Sequence, residues 1–266
     1  MLSDITLGQY YPSESAIHKM DASVKIMLTL IYMILVFFVK GFMGYAVITL
    51  FLAVVLAVSK IPFKFIFKGL KPVFIFLIFT FILNIFLTDG RRAFTFIIWD
   101  VSYEGIFASL FMALRIILLV TGSTFLTYTT TPIMLTDGIE KLLKPFAKLG
   151  VPAYELAMMM SIALRFIPTL IEEAEKIMNA QKARGADLES GGLMERVKAL
   201  IPILIPLLFS SVRRAYELAE AMECRCYNGG EGKTRMKQMK LSVTDFWVSF
   251  ASTIICVGII VLNIIF

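Results

Sequence analysis

The chain has 266 residues, 58% of them hydrophobic and 17% charged, where soluble domains run at about 45–50% apolar. Its 23 phenylalanines and long stretches without a charge exclude a soluble globular domain and point to an integral membrane protein. The net charge of +6 does not indicate nucleic acid, because the cations gather in loops and at helix ends beside apolar runs, the distribution that membrane topology produces.

A bilayer core of about 30 Å takes about 20 apolar residues per helix. Residues 1–20 contain Asp4 and Glu14 and no short apolar core, so no cleavable signal is expected there. Val24–Val39 is the first predicted span, preceded by Lys19 and Lys25 and ended by Lys40-Gly41. Phe42–Val58 is the second, so close that the two form a tight helical hairpin. Lys60, Lys64, Lys68 and Lys71, set around Ile-Pro-Phe, predict an amphipathic connector lying along the interface. Val73–Leu87 is the third span, ended by Thr88-Asp89-Gly90, and residues 89–103 read as a polar loop with Arg91, Arg92 and Asp100. Gly105–Tyr128 is the fourth, ended by Thr129-Thr130-Thr131-Pro132, and Phe246–Phe266 is the last.

The stretch between the last two spans differs in character. It carries Glu172, Glu173, Glu175, Lys176, Arg213, Arg214, Glu217 and Glu220, too many charges for a lipid-facing span, yet holds apolar runs at Leu156–Leu164 and Leu200–Phe209. Pro132–Leu149 includes a short amphipathic helix with Ile139, Leu142, Leu143 and Phe146 on its apolar face. Gly150-Val151-Pro152 ends it and starts a long helix to about Arg184, with Gly185 as its C′ residue. A loop at Leu188–Gly192 leads to another helix from about Met194 to Arg225, then Asn228-Gly229-Gly230 and a basic linker, Lys233 to Lys240.

Counting Lys and Arg orients the chain. An inside N-terminus puts Lys19, Lys25, the four connector lysines and the sixteen cations between 131 and 240 within, against Lys40, Arg91 and Arg92 outside. The expected organisation is all-α, with about five spans. A four-span membrane region covers 1–131, a cytosolic region of one short and two long crossed helices covers 132–240, and a terminal span covers 241–266. A rival topology sends Tyr154–Ile171 and Leu200–Val212 across the bilayer. Arg165 and Pro168 in the first run, and Pro202 and Pro206 in the second, weigh against it.

Arg184 and Arg225 each fall at the C-terminal end of a long helix. A cation there is favoured by about 0.3–1 kcal/mol, which is the ordinary explanation. Each is also flanked by small residues, Ala183 and Gly185 or Cys224 and Cys226, so a partner surface can close around a guanidinium able to bond carboxylates or carbonyls bidentately. Two similar helix ends suit two similar partners. Gly232-Lys233-Thr234 resembles the end of a phosphate-binding loop, but Tyr227 stands where its first glycine belongs and no strand precedes it. Cys224-x-Cys226 lacks further ligands, the only histidine being His18, so no metal site is expected. With Cys256 these cysteines form no disulfide framework. Arg115 lies in mid-span, where a bare cation costs at least about 2.5–3.5 kcal/mol. It calls for Asn84 or Asp100 as partner, or for snorkelling to water. Met158-Met159-Met160 with Met178 supplies a soft surface, for packing or for exchangeable partners.

Ala183-Arg184-Gly185, the second arginine cluster, and Asp137-Gly138-x-Glu140…Leu143-x-Pro145…Val151-Pro152 together resemble the transmembrane T component, EcfT, of energy-coupling factor (ECF) transporters. The related CbiQ-type cobalt transport permeases share the pattern. The resemblance implies an L-shaped, non-catalytic subunit of the prokaryotic plasma membrane that couples ATP hydrolysis by two ABC-type ATPases to uptake of a vitamin or other micronutrient. A separate membrane protein, the S component, captures that solute. By matched position, Ala183, Arg184, Gly185, Cys224, Arg225 and Cys226 dock the ATPases. The apolar faces at Leu156, Met160, Leu164, Ile203 and Leu207 meet the S component. ATP and Mg are bound by the ATPases, and this chain holds no cofactor. Cys-Arg-Cys departs from the usual second Ala-Arg-Gly, and Cys226 in place of glycine disfavours a left-handed cap there. Two alternatives stand beside this reading. One is the T component of a dedicated cobalt or nickel importer. The other is a membrane-embedded lipid-modifying enzyme, which needs paired carboxylates or histidine at the interface in a pattern such as Asp-x-x-Asp, absent here.

Overall fold

The computed structural model describes residues 10–39, 41–87, 92–96, 99–186, 192–229, 245–254 and 258. The predicted turn at 88–90, Arg91, the loop at 188–191, the linker at 233–240 with its Gly-Lys-Thr, Cys256 and most of the last span lie outside the described residues. The chain divides into two compact units, Gly8–Ile139 with Gln238–Phe266, and Glu140–Lys237 with Met1–Leu7.

The first unit begins with a single turn, α1 (Ala16–Lys19). Next come α2 (Ala22–Phe38), capped by the Asp21 carboxylate accepting from the Ser23 N–H, and α3 (Phe42–Ser59). The predicted tight hairpin does not close along its length: α2 packs chiefly on the fourth span, while α3 touches α1 and the fourth span. Side chains from the three long helices form one core, Tyr32, Val36 and Val39 with Tyr45, Ile48, Leu52, Leu56 and Leu118. Those α3 positions recur every three to four residues, one face of a helix.

The connector does not exist as a separate element. α4 (Phe63–Leu87) is continuous for 25 residues through Pro72, so Lys64, Lys68 and Lys71 sit on the first turns of the third span. Their spacing of four and three puts the ammoniums on one side, where flexible stems carry charge to the interface without breaking the helix. The polar loop holds a hairpin, β1 (Arg92–Phe96) and β2 (Trp99–Ser102), paired antiparallel with Phe96 opposite Trp99. α5 (Tyr103–Thr129) packs against α4 and α2. A Cβ on Gly122 would lie 2.4 Å from Cε1 of Tyr32; the bare glycine admits that ring, whose hydroxyl donates to the Leu118 carbonyl at 3.1 Å. α6 (Pro132–Leu143) starts on Thr131, whose hydroxyl accepts from the Met134 N–H at 3.3 Å. Residues 245–254 are helical.

The second unit takes α6 from Glu140 onward, then a 3-10 turn (Lys144–Leu149) closed by Gly150 at φ +87°. α7 (Ala153–Ala183) and α8 (Leu193–Cys224) follow and pack against each other. Both run unbroken through their prolines, Pro168 in α7 and Pro202 and Pro206 in α8.

Five described helices are long and apolar enough to cross a bilayer: Phe42–Ser59, Phe63–Ile85, Tyr103–Thr129, Ala153–Ala183 and Val197–Cys224. The first three are the second, third and fourth predicted spans. The predicted first span is a shorter apolar helix of 17 residues, and the predicted last is described only in part. The other two are α7 and α8. The protein is an all-α multi-pass membrane protein, with a short β-hairpin as the strand structure among the described residues.

Candidate docking site

α7 and α8 end in the same way. Arg184 is the C-cap of α7, its N–H reaching the carbonyls of Ala180 and Gln181 at 3.2 and 3.1 Å. Gly185 follows at φ +84°, donating to the Lys182 carbonyl at 3.0 Å, while the Ala186 N–H reaches back to Gln181 at 3.0 Å. These six-to-one and five-to-two bonds define a Schellman cap and satisfy carbonyls the helix leaves orphaned. At α8 the Arg225 N–H donates to Met222 at 3.1 Å, Cys226 to Glu223 at 2.8 Å, and Tyr227 back to Met222 at 3.0 Å.

Cys226 stands at φ +58°. The expectation that cysteine disfavours a left-handed cap there is overturned: the residue takes the glycine conformation. The left-handed region costs a side chain about 1–2 kcal/mol, and here it comes with both cap hydrogen bonds and an unbranched, exposed side chain. Both arginines are therefore presented identically, at the C-cap of a Schellman motif. Ala183, Arg184, Gly185, Cys224, Arg225 and Cys226 are all exposed. The carbonyl ends of the helix dipoles favour a guanidinium at each place.

The apolar positions assigned to a membrane partner are distributed otherwise. Leu156, Met160, Leu164 and Leu207 are half-buried, and Ile203 is buried at 5% exposure. On α8 the exposed apolar residues include their neighbours Leu200, Ile201, Leu204, Ile205, Leu208 and Phe209. In the methionine run Met159 is exposed, Met158 and Met160 half-buried. At α6, burial pushes the Glu140 carboxyl above its ordinary range, and Lys144 and Lys141 partly offset this.

Two polar arrangements escape local reading. Arg115 donates through Nε to the Tyr45 hydroxyl at 2.9 Å and through Nη2 to the Val39 carbonyl at 3.1 Å. Tyr45 stacks on Phe111 with centroids 5.4 Å apart. The predicted partner Asn84 instead donates to the Thr80 carbonyl at 2.8 Å, and the Asp100 side chain lies outside the described residues. The end of α2 and the first turn of α3 bring these partners in from 76 and 70 positions away. Lys25, read as an interfacial cation, is buried at 5% exposure. Its ammonium donates to the carbonyls of Thr129 at 3.0 Å and His18 at 3.3 Å, with the carboxylates of Asp245 and Asp21 acting on it. His18, also buried, pairs its Nδ1 with the Ser15 hydroxyl at 2.7 Å. Burial and the neighbouring Lys25 ammonium lower its pKa, a hydrogen bond to the Tyr11 backbone opposing them. Asp21 and Lys25, four apart at the head of an apolar run, were the available signal.

The family described as CbiQ, cobalt transport protein, matches residues 13–236. Curated relatives cover nearly the whole chain. A protein of Clostridium kluyveri named energy-coupling factor transporter transmembrane protein EcfT is 55% identical over 98% of this chain and 97% of its own. Proteins of the same name from Thermosediminibacter oceani and Ruminiclostridium cellulolyticum are 49% and 48% identical, the first over 97% of both chains and the second over the full length of both. The match spans both helix ends and the stretch leading to them, so the chain belongs, with these relatives, to the CbiQ family of transport proteins.

Proposed function

We propose that this chain is the energy-coupling transmembrane subunit of an ECF importer of the prokaryotic plasma membrane. In this reading the N-terminus is cytoplasmic and α7 and α8 are coupling arms on the cytosolic side. Arg184 and Arg225, each with its two small neighbours, dock two ABC-type ATPases, which bind ATP and Mg. The observation that carries the reading is the pair of matching caps: two exposed arginines, on the ends of two packed helices, with the same backbone geometry although the sequences differ, Ala-Arg-Gly against Cys-Arg-Cys. A guanidinium fork on a fixed cap suits a cleft lined with carboxylates or carbonyls. When ATP closes the ATPases, the clefts move and the arms carry that motion toward a solute-binding S component, for which the exposed apolar stripe of α8 offers a surface.

Co-purification is the direct test. The tagged chain brings down two ATPase subunits and a small membrane protein, and Arg184→Ala with Arg225→Ala loses the ATPases while the chain still inserts in the membrane. Full uptake and normal assembly in the double variant would sink the reading. A second reading, a dedicated cobalt importer, is favoured by the family description. Uptake of labelled cobalt against labelled vitamins by the co-purified complex separates the two.

A further inference from the structure

Where α7 and α8 pack, Glu173 reaches across from α7 with one carboxylate oxygen to the Ser210 hydroxyl and the other to the Arg214 guanidinium. Ser210 is buried at 8% exposure, and the ion pair is partly shielded, its side chains 34% and 20% exposed for Arg214 and Glu173. The three line a polar hollow with Phe166, Arg213 and Glu217. A pair this accessible to water adds little cohesion to two helices that already have apolar packing. What a bidentate contact does provide is register: it permits one alignment of the helices and opposes sliding.

Its position is informative. Glu173 lies eleven residues before Arg184, and Arg214 lies eleven residues before Arg225. Eleven residues is close to three full turns, roughly 16 Å along each axis, so Glu173 and Arg214 each share a stripe of their helix with its terminal arginine. The clasp therefore joins the arms at equal distances from the two docking points.

Resting on the docking function proposed above, we infer that the Glu173–Ser210–Arg214 clasp is the fulcrum of the two arms, a positioning contact that makes displacement at Arg184 and at Arg225 one shared movement. Without it each ATPase moves its own arm, and hydrolysis proceeds with less transport.

The experiment uses the complete transporter, this chain with its ATPases and S component, reconstituted in proteoliposomes, with uptake and ATP hydrolysis measured together. Glu173→Gln and Arg214→Gln are expected to keep the ATPases bound and hydrolysing while solute taken up per ATP falls about three- to tenfold. The exchange Glu173→Arg with Arg214→Glu is expected to restore that ratio to within about twofold. An unchanged ratio, a parallel fall of uptake and hydrolysis, failure of the exchange to restore the ratio, or failure of both single variants to assemble would each overturn the fulcrum, the last by reducing the clasp to a folding contact. The docking reading fails separately: if the unsubstituted chain does not bring down ATPases, the arms have nothing to transmit and the fulcrum falls with it.

Discussion

At Cys226 the backbone takes a conformation that the side chain opposes. Its φ of +58° costs about 1 kcal/mol that glycine does not incur. Cys226→Gly is therefore expected to raise the unfolding free energy by about 0.5–1 kcal/mol, read as a higher melting temperature in detergent, with ATPase co-purification intact. Cys226→Val, β-branched and intolerant of positive φ, is expected to lower both. If glycine lowers the melting temperature, the cap is not the one that holds Arg225. His18 yields a pH prediction. Its pKa in the folded protein lies below the ordinary 6.5, so above that pH both folded and unfolded states are neutral and it contributes nothing. As the pH falls through 6.5 the unfolded state takes the proton first, and stability declines until the folded value is passed. Glu140 works in the opposite sense, since its raised pKa favours the folded state as pH falls toward 4.5. The difference in melting temperature between the wild-type chain and His18→Gln, followed from pH 7.5 to 5.5 — a range chosen to bracket 6.5 — isolates the histidine. It should shift steadily against the wild type on acidification, and a flat difference refutes the assignment.

Elements whose ends are written locally were legible in the sequence. Gly185, Gly150 and Pro152 mark helix boundaries because a positive φ or a fixed φ at the right place is a property of one or two residues. Elements defined by distant partners were not. The lysines of α4 read as a connector because charge near an apolar run signals an interface, and only the helical course of the backbone, kept up past Pro72 although that residue has no N–H to donate, shows a single helix. The partners of Arg115 stand where α2 ends and α3 begins, a boundary that the sequence predicts, but which carbonyl and which hydroxyl face inward depends on helix rotation. At α6 the glycine of the Asp-Gly-x-Glu pattern has a clear duty. A Cβ on Gly138 would lie 2.9 Å from the Ala22 carbonyl carbon and 2.9 Å from the Ser23 nitrogen, atoms of backbone that cannot swing aside. Gly138→Val is expected to displace α6 from the head of α2 and cost about 1–3 kcal/mol, seen as lower expression and a lower melting temperature. Wild-type stability in this variant would mean that α6 does not rest there.

At the scale of the whole chain, the first compact unit joins segments far apart in the sequence, the helices before Ile139 and the helix at 245–254. Helix packing in lipid lacks the hydrophobic drive that water supplies, so such a union relies on close fit and on polar contacts between helices. Lys25 and Asp245, at 5% and 2% exposure, are buried groups of opposite charge that act on one another, while the ammonium's hydrogen bonds go to the Thr129 and His18 carbonyls. Removing one member of a buried pair strands the other, at about 3–5 kcal/mol, whereas replacing both with apolar groups of similar size is close to neutral. Lys25→Met alone is therefore expected to destabilise by about 3 kcal/mol, and Lys25→Met with Asp245→Leu to recover most of that loss. Asp21, left behind in both, keeps its bonds to the Ser23 N–H at 2.9 Å and hydroxyl at 2.7 Å and adds little to the difference. Thermal unfolding in detergent gives the cycle, and hydrogen exchange gives its location, because loosening should concentrate in 245–254. If the double variant is no more stable than Lys25→Met, the two charges act independently, and the union of these segments rests on apolar packing.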